Sequence, residues 1–342
     1  MYSFESDYSE GAHPNILKAM VQANLDQTSG YGFDSYTEKA TEILKDKLQN
    51  NNVDIHFFVG GTITNLTALS SFLRPHEAII CTDEGHIATH EAGAIEATGH
   101  KVIAIENTNG KLDPIKAEKE ILKHEDFHMV KPKCLYISNA TELGTTYTKA
   151  ELLELRSLAD KYNMILYMDG ARLANALVAE NNDVTLEDLC NIFDMFYIGA
   201  TKNGALFGEA LVIVNDKLKP EFKYICKQKG TIYVKNKFLA IQFIELFTND
   251  LYFKLALHAN TLARKLEKSF VENGFEIFIE TNANQLFVII ENEVLEEFER
   301  EFSSVIWGPY NENKSLVRYT TSWATKEGKV EEFIKLIEQY KR

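Results

Sequence analysis

Short apolar segments alternate with helical patterns along the first 245 residues, and this alternation restricts the chain to few folds. Seven segments are predicted strands: Ile55–Val59, Ala78–Cys81, Lys101–Ile105, Cys134–Ile137, Met164–Met168, Met195–Ile198 and Ala210–Val214. Several are apolar at consecutive rather than alternate positions, which is typical of strands covered on both faces. Strands that alternate with helices imply βαβ units joined by right-handed crossovers. The sequence therefore predicts an α/β fold with a mostly parallel sheet.

The pattern changes after about residue 245. The predicted elements there are a long helix, two short strands, an acidic helix, a further strand and a closing helix, at Tyr252–Asn273, Phe275–Ile279, Gln285–Ile290, Glu293–Phe302, Leu316–Tyr319 and from Lys326. This order suits a smaller α/β domain. We expect a large domain over residues 14–247 and a small C-terminal domain over 248–342, joined by the N-terminal segment 1–13.

Composition excludes several classes of protein. The 342 residues are 45% hydrophobic, which is a globular proportion, and no apolar run approaches the roughly 20 residues that span a bilayer. The formal net charge of −14 and the lack of a basic run disfavour nucleic acid as a partner. The four cysteines are too scattered for a disulfide framework or a CxxC pair. We expect a cytoplasmic protein with no membrane or nucleic-acid partner and no metal site.

The segment Val59–Asn65 joins a predicted strand to an amphipathic helix. Gly60 and Gly61 permit a tight turn, and Thr62 adds a hydroxyl donor beside the free N–H groups of the new helix. A phosphate group fits such a helix start. The motif is neither a Walker A loop nor GxGxxG, and an ordinary strand–helix turn is the simpler interpretation.

Two further strands end in side chains that can carry chemistry. Asp169 closes one apolar strand and is followed by Arg172, and Lys202 follows the next strand among small residues. Ligands of open α/β sheets bind beyond the carboxyl ends of the strands, where these side chains project. The alternatives are a helix-capping role for Asp169 and solvated surface positions for Arg172 and Lys202.

His86 and Arg318 complete the candidate residues. His86 follows the strand that ends at Cys81, where a histidine is more often structural than catalytic. Arg318 lies on a predicted strand, where an unpaired charge is costly. It therefore needs an anionic partner, either an internal carboxylate or a ligand.

Together these residues suit pyridoxal phosphate (PLP). A lysine of lowered pKa can form the covalent link to the cofactor, and we assign this role to Lys202. Asp169 can pair with the protonated pyridine nitrogen and keep the ring an electron sink. In this hypothesis Gly61 and Thr62 hold the phosphate, and His86 stacks on the ring.

The motifs also carry a family resemblance. They are Phe4–Tyr8, Gly11–Pro14, Gly60–Thr62 with Asn65, His86, Thr141–Thr145, Asp169–Arg172, Thr201–Gly204 and Arg318. With these residues the chain resembles the L-threonine aldolases of the β-eliminating lyase group, within fold-type I (aspartate aminotransferase-like) of the PLP-dependent enzymes. The resemblance runs from Ser6 to Trp323. The Asp-Gly-Ala-Arg motif followed by the lysine motif is its specific part.

The resemblance implies an activity and a set of contacts. The activity is the retro-aldol cleavage of L-threonine, L-allo-threonine and similar β-hydroxy-α-amino acids to glycine and an aldehyde. Ser6, Arg172 and Arg318 match residues that bind the substrate carboxylate, a task for which the planar guanidinium is suited. Asn65 and Arg172 match residues at the cofactor.

The resemblance also implies a homodimer or homotetramer with shared active sites. Tyr31 and Lys229 match regions that reach a neighbour's site, with Tyr31 at the substrate and Lys229 at the cofactor. Many relatives carry arginine at the position of Lys229.

One role stays open at this point. Some relatives carry a histidine in the loop 139–144, where Glu142 stands here, so the base that takes the hydroxyl proton is His86, Glu142 or a bound water. β-Elimination and transamination on a small amino acid are alternative reactions, because PLP supports all three. A catalytically silent binding protein of the same fold is the alternative outside enzymes, and a nicotinamide dehydrogenase is disfavoured by the missing GxGxxG.

Overall fold

The computed structural model describes residues 1–341. Their strands are β1 (Tyr2–Ser3), β2 (Asp54–Phe58), β3 (Glu77–Thr82), β4 (Lys101–Ile105), β5 (Lys131–Ser138), β6 (Ile165–Asp169), β7 (Met195–Gly199), β8 (Glu209–Ile213), β9 (Glu276–Ile279), β10 (Gln285–Glu291), β11 (Phe302–Ser303), β12 (Val305–Pro309) and β13 (Lys314–Thr320).

The α-helices fill the connections between these strands. They are α1 (Pro14–Gln22), α2 (Ser35–Leu48), α3 (Gly61–Phe72), α4 (His86–Thr89), α5 (Pro114–Lys123), α6 (Lys149–Lys161), α7 (Leu173–Leu177), α8 (Leu186–Ile192), α9 (Phe222–Gln228), α10 (Lys237–Phe247), α11 (Leu251–Glu272), α12 (Asn292–Glu299) and α13 (Glu327–Glu338). None of the helices within residues 1–341 combines the length and the apolar character needed to cross a bilayer.

The seven strands predicted for the first part of the chain form one sheet. Its order is β2-β8-β7-β6-β5-β3-β4. The five strands from β7 to β4 pair in parallel, and β8 pairs antiparallel with both β7 and β2. The predicted α/β fold with a mostly parallel sheet is therefore confirmed.

The two faces of this sheet are both covered, as the consecutive apolar residues indicated. Along β6, Leu166 and Met168 belong to the hydrophobic cluster on one face, whereas Ile165 and Tyr167 belong to the cluster on the other. Successive side chains of a strand point to opposite faces, so a doubly covered strand needs apolar residues at every position. The same alternation places the ring of Tyr197 on the face of Tyr167.

The C-terminal part builds a second, antiparallel sheet of order β12-β13-β10-β9. Its apolar face packs with α11 and α13 in a third cluster that also includes Phe4 of the N-terminal segment. Strand β12 was not predicted, because Gly308 and Pro309 interrupt its pattern. The acidic helix predicted to Phe302 ends at Glu299, and Phe302 instead pairs with Tyr2 between the parallel strands β11 and β1.

Candidate active site

A cavity of about 590 Å³ lies where the carboxyl ends of β5, β6 and β7 meet the second sheet. Most of the candidate residues line it, namely Gly61, Thr62, His86, Glu142, Asp169, Arg172, Lys202 and Arg318. These residues come from distant parts of the chain. The topology brings them together because parallel strands present their carboxyl ends at one edge of the sheet.

Asp169 ends β6 and is held by four donors. The hydroxyl of Tyr136 donates to Oδ2 at 2.7 Å, the Asn65 amide donates to the same oxygen at 2.9 Å, and the Tyr197 hydroxyl and the Ala171 N–H donate to Oδ1. Burial raises the pKa of Asp169, but the nearby His86 and the side-chain donors outweigh it and hold that pKa below its usual range. Asp169 is thus a buried, ionised carboxylate at the cavity wall.

Asn65 lies behind the cavity and does not line it. Its amide nitrogen donates to Asp169 and, at 2.8 Å, to Oε1 of Glu91, while its oxygen accepts from the Tyr167 hydroxyl at 2.9 Å. The amide thereby holds two buried carboxylates in place. Asn65 acts on the cavity through Asp169.

His86 begins α4 and faces the same cavity. Its Nδ1 is 2.8 Å from Oε1 of Glu91, which is fully buried at the side chain. Burial lowers the pKa of His86, but the hydrogen bond to Glu91 and the charge of Asp169 outweigh this effect and raise that pKa above its usual value. Glu91, which was not among the predicted residues, fixes the orientation of this imidazole.

Lys202 lies in the turn after β7. The end of β7, just before this turn, packs tightly against the loop after Asp169: a Cβ at Gly170 would lie 1.8 Å from the Tyr197 carbonyl oxygen, so only glycine fits there. Burial lowers the pKa of the Lys202 ammonium, and the charge of Arg172 lowers it further. A lysine in this state reaches its nucleophilic neutral form more readily than a solvated one.

The helix α3 starts at the cavity, as the turn motif predicts. Gly60 is its N-cap and offers no side-chain cap, and the first turn carries no acidic residue. The hydroxyl of Thr64 donates back to the Gly60 carbonyl at 2.7 Å and tightens the turn. The positive end of this helix faces the cavity at Gly61 and Thr62, which suits a phosphate group.

The two arginines differ in their partners. The guanidinium of Arg172 forms a bidentate ion pair with Asp7, in which Nε donates to Oδ2 at 2.7 Å and Nη2 donates to Oδ1 at 3.1 Å. Arg318 forms no ion pair within residues 1–341. It stacks on the Trp307 ring at 4.9 Å and donates to the Glu5 carbonyl at 3.3 Å, and its buried Nε finds no acceptor there. An internal carboxylate therefore satisfies Arg172, whereas Arg318 is open to an anionic ligand.

Glu142 accepts two hydrogen bonds at Oε1. The donors are the Ser138 hydroxyl at 2.7 Å and the His86 backbone N–H at 3.0 Å. Burial raises the pKa of Glu142, which favours its protonated form. Its contacts tie the loop after β5 to the start of α4.

Besides Asn65, three more predicted residues do not line this cavity, namely Ser6, Tyr31 and Lys229. The Ser6 hydroxyl shares a hydrogen bond with Ser9 at 2.9 Å. Tyr31 lines a second cavity of about 920 Å³ beside β2 and α2, where Lys227 lies 4.8 Å above its ring. Lys229 is half-buried at the end of α9. The predicted reach of Tyr31 and Lys229 into a neighbour's site stays a prediction.

Several cavity residues were missed by the sequence analysis, among them Tyr8, His90, Glu209 and Trp307. Glu209 begins the buried strand β8, where it accepts the Ala200 N–H at 3.1 Å and the Thr201 hydroxyl at 2.7 Å. Burial raises its pKa to about 8. A carboxylate at the head of an apolar strand was the one available signal, because buried acidic residues are rare.

The mostly parallel sheet carries Asp169 and Lys202 at one cavity, and helix α3 begins at the same cavity. These features define a protein of the fold-type I class of PLP-dependent enzymes. The model of the β-eliminating lyase family matches residues 3–293, so the chain belongs to the β-eliminating lyase family. It is similar to a low specificity L-threonine aldolase of Pseudomonas sp., with 31% identity over 333 residues that cover 96% of this chain and 95% of that protein.

Solved structures agree with this membership. A threonine aldolase of Leishmania major superposes with a TM-score of 0.98 and 43% identity, and the match covers 100% of both chains. An aspartate aminotransferase of Thermus thermophilus has a TM-score of 0.73 at 13% identity, covering 99% of this chain and 91% of that one, and shares the fold alone.

Proposed function

We propose that this chain is a PLP-dependent aldehyde-lyase that cleaves L-threonine and similar β-hydroxy-α-amino acids to glycine and an aldehyde. The observation that carries the proposal is that three groups line the same cavity: the ionised Asp169, Lys202 with its lowered pKa, and Arg318, which has no ion-pair partner within residues 1–341. The membership in the family and the likeness to named threonine aldolases support the carbon–carbon lyase reaction.

The residues present fit PLP. Lys202 would carry the covalent link, Asp169 would hold the protonated pyridine nitrogen, and His86 would stack on the ring. Gly61 and Thr62 at the start of α3 would bind the phosphate. When bound, the cofactor supplies an electron sink for the bond that breaks at Cα. The donors around Asp169 keep its carboxylate charged in a buried place, which is the state that a protonated nitrogen requires.

We assign the substrate carboxylate chiefly to Arg318. Its guanidinium has no carboxylate partner of its own within residues 1–341, and stacking on Trp307 orients its plane. Asp7 already accepts hydrogen bonds from Nε and Nη2 of Arg172. We therefore propose that Arg172 helps to orient the substrate carboxylate, whereas Arg318 is its main binding partner. Ser6 and Tyr31 remain proposed substrate contacts, and Arg172 and Lys229 remain proposed cofactor contacts. Asn65 remains a proposed cofactor-site residue, which acts through its hydrogen bond to Asp169.

These contacts orient the bond to be broken. A carboxylate bound at Arg318 and an amino group held near Lys202 would fix Cα at two points and so limit the directions that the Cα–Cβ bond can take. The chain's residues thus select which bond at Cα is aligned for cleavage.

Product analysis tests this function. The purified protein, supplied with PLP, is incubated with L-threonine and, separately, with L-serine. We expect glycine and acetaldehyde from L-threonine and little pyruvate from L-serine. Pyruvate and ammonia as the main products would show β-elimination instead, and an unreactive protein with no borohydride-sensitive absorbance band would show a silent binding protein.

We also propose a homodimer or homotetramer with shared sites. Large apolar side chains are exposed beside the second cavity: Phe33 is 73% exposed, Tyr224 78% and Val234 59%. An apolar patch of this kind next to the edge strand β2 marks a protein interface. Light scattering on the purified protein measures the assembly. A cytoplasmic location stays a prediction.

We propose the domain division given by the sequence, with residues 14–247 as the large domain and 248–342 with 1–13 as the small one. The separate hydrophobic cluster around the second sheet, which includes Phe4, supports it.

A further inference from the structure

Helix α4 and the residue that caps its C-terminus place two histidines at the cavity. His86 and His90 are four residues apart, so one helical turn stacks them on the same side, with ring centroids 5.8 Å apart. The His90 ring also lies 6.4 Å from the Trp307 ring, against which Arg318 stacks. His90 therefore stands between the proposed cofactor-stacking histidine and the proposed carboxylate site.

The two side chains first considered as the base are already engaged. His86 is bound at Nδ1 by Glu91, and its raised pKa favours the protonated ring, which cannot accept a proton. Glu142 already accepts from Ser138 and from the His86 N–H. Both side chains serve the architecture of the site.

The side chain of His90, in contrast, is not engaged by hydrogen bonds within residues 1–341, so both ring nitrogens are available to a ligand. His90 is exposed overall, but the partial burial of its ring lowers its pKa, and the charges of His86, Arg318 and Lys202, which face it from α4, β13 and the turn after β7, lower that pKa further. A histidine in this environment is neutral near pH 7 and can accept a proton.

We propose that His90 is the base that takes the proton of the substrate's β-hydroxyl group. This inference rests on the proposed aldolase function. In the step, the O–H electrons form the carbonyl bond of the aldehyde, the Cα–Cβ bond breaks, and its electron pair stays with Cα. A proton then adds to Cα to give glycine, and His90 releases its proton. The substrate is thereby split into aldehyde and glycine without any oxidant or reductant.

The first test compares His90→Gln with His128→Gln. His128 is an exposed surface residue outside the cavity, so its variant controls for the loss of a histidine. General-base catalysis contributes about 10²- to 10⁴-fold, so we expect kcat/KM for L-threonine to fall at least about 100-fold in His90→Gln and to be unchanged in His128→Gln. The wild-type kcat/KM should fall on the acid side with a pKa below 6.5, and the residual activity of His90→Gln should lack this fall.

A second measurement separates the base from a merely structural residue. Exchange of the α-proton of glycine with D₂O, followed by NMR, needs the cofactor and the carboxylate contact but no β-hydroxyl group. We expect His90→Gln and His90→Ala to keep this exchange within about threefold of wild type, and added imidazole to restore part of the cleavage in His90→Ala.

The outcomes are distinct. If wild type cleaves L-threonine and the His90 variants cleave it equally well, or lose glycine exchange together with cleavage, the role of His90 is overturned. If wild type itself does not cleave L-threonine, the proposed function fails first.

Discussion

The contrast between the two arginines yields a sharp prediction. Arg172→Met and Arg318→Met remove the same guanidinium from the same cavity and leave side chains of similar length. We expect Arg318→Met to lose catalysis with little loss of stability. We expect Arg172→Met to lose stability, because its buried partner Asp7 is left without its ion-pair partner.

The contacts of the two arginines determine how large each loss of stability or activity should be. Asp7 is 0% and Arg172 12% exposed at the side chain, and breaking a buried pair by removing one partner costs about 3–5 kcal/mol. Arg318 stacks on Trp307 and donates one bond to a carbonyl, so its removal should cost about 1 kcal/mol or less in stability. Its pairing with a substrate carboxylate is worth about 2–5 kcal/mol, which is about 30-fold or more in kcat/KM.

Two measurements test the expected loss of stability in Arg172→Met and the expected loss of activity in Arg318→Met. Urea denaturation gives the free energy of unfolding, and steady-state kinetics with L-threonine give kcat/KM. The double variant Asp7→Asn/Arg172→Met should regain part of the stability lost in Arg172→Met, because the stranded charge is gone. Wild-type kcat/KM in Arg318→Met would refute the assignment of the carboxylate site, and wild-type stability in Arg172→Met would refute the ion-pair argument.

Three further predictions concern single residues. Borohydride reduction of the PLP-loaded protein should place the pyridoxyl group on Lys202, as read by peptide mass spectrometry, and label on another lysine would contradict the assignment. Asp169→Asn should lower kcat far more than it raises KM, since an amide cannot keep the pyridine nitrogen protonated, and a variant with wild-type kcat would rule that role out. The pKa of Glu209 is raised to about 8 in the folded protein, so its burial is least costly at low pH and the free energy of unfolding should fall as the pH rises from about 5 through 8, by up to about 1.4 kcal/mol per pH unit. Urea denaturation across this range should show a flatter profile for Glu209→Gln, and identical profiles for the two proteins would exclude Glu209 as the cause.

The amino-acid sequence determined the fold class and the centre of the site. Consecutive apolar residues such as Ile165 to Met168 are typical of a strand covered on both faces, and such a strand suits a parallel sheet. Asp169 and Lys202 each follow such a strand directly, so their convergence at one edge followed from topology alone. These are local patterns, which a reader of the sequence sees within a few residues.

Only the tertiary structure decided the partners of these groups. Asp7 fills the fork of Arg172 across 165 positions of chain, and the sequence pattern of Arg172 and Arg318 does not show which of them is already paired. Glu91, which holds His86, and Trp307, which orients Arg318, are equally out of reach of local patterns. A buried charge must find its counter-charge or donors wherever the packed chain supplies them, and that choice depends on distances in space rather than on spacing along the sequence.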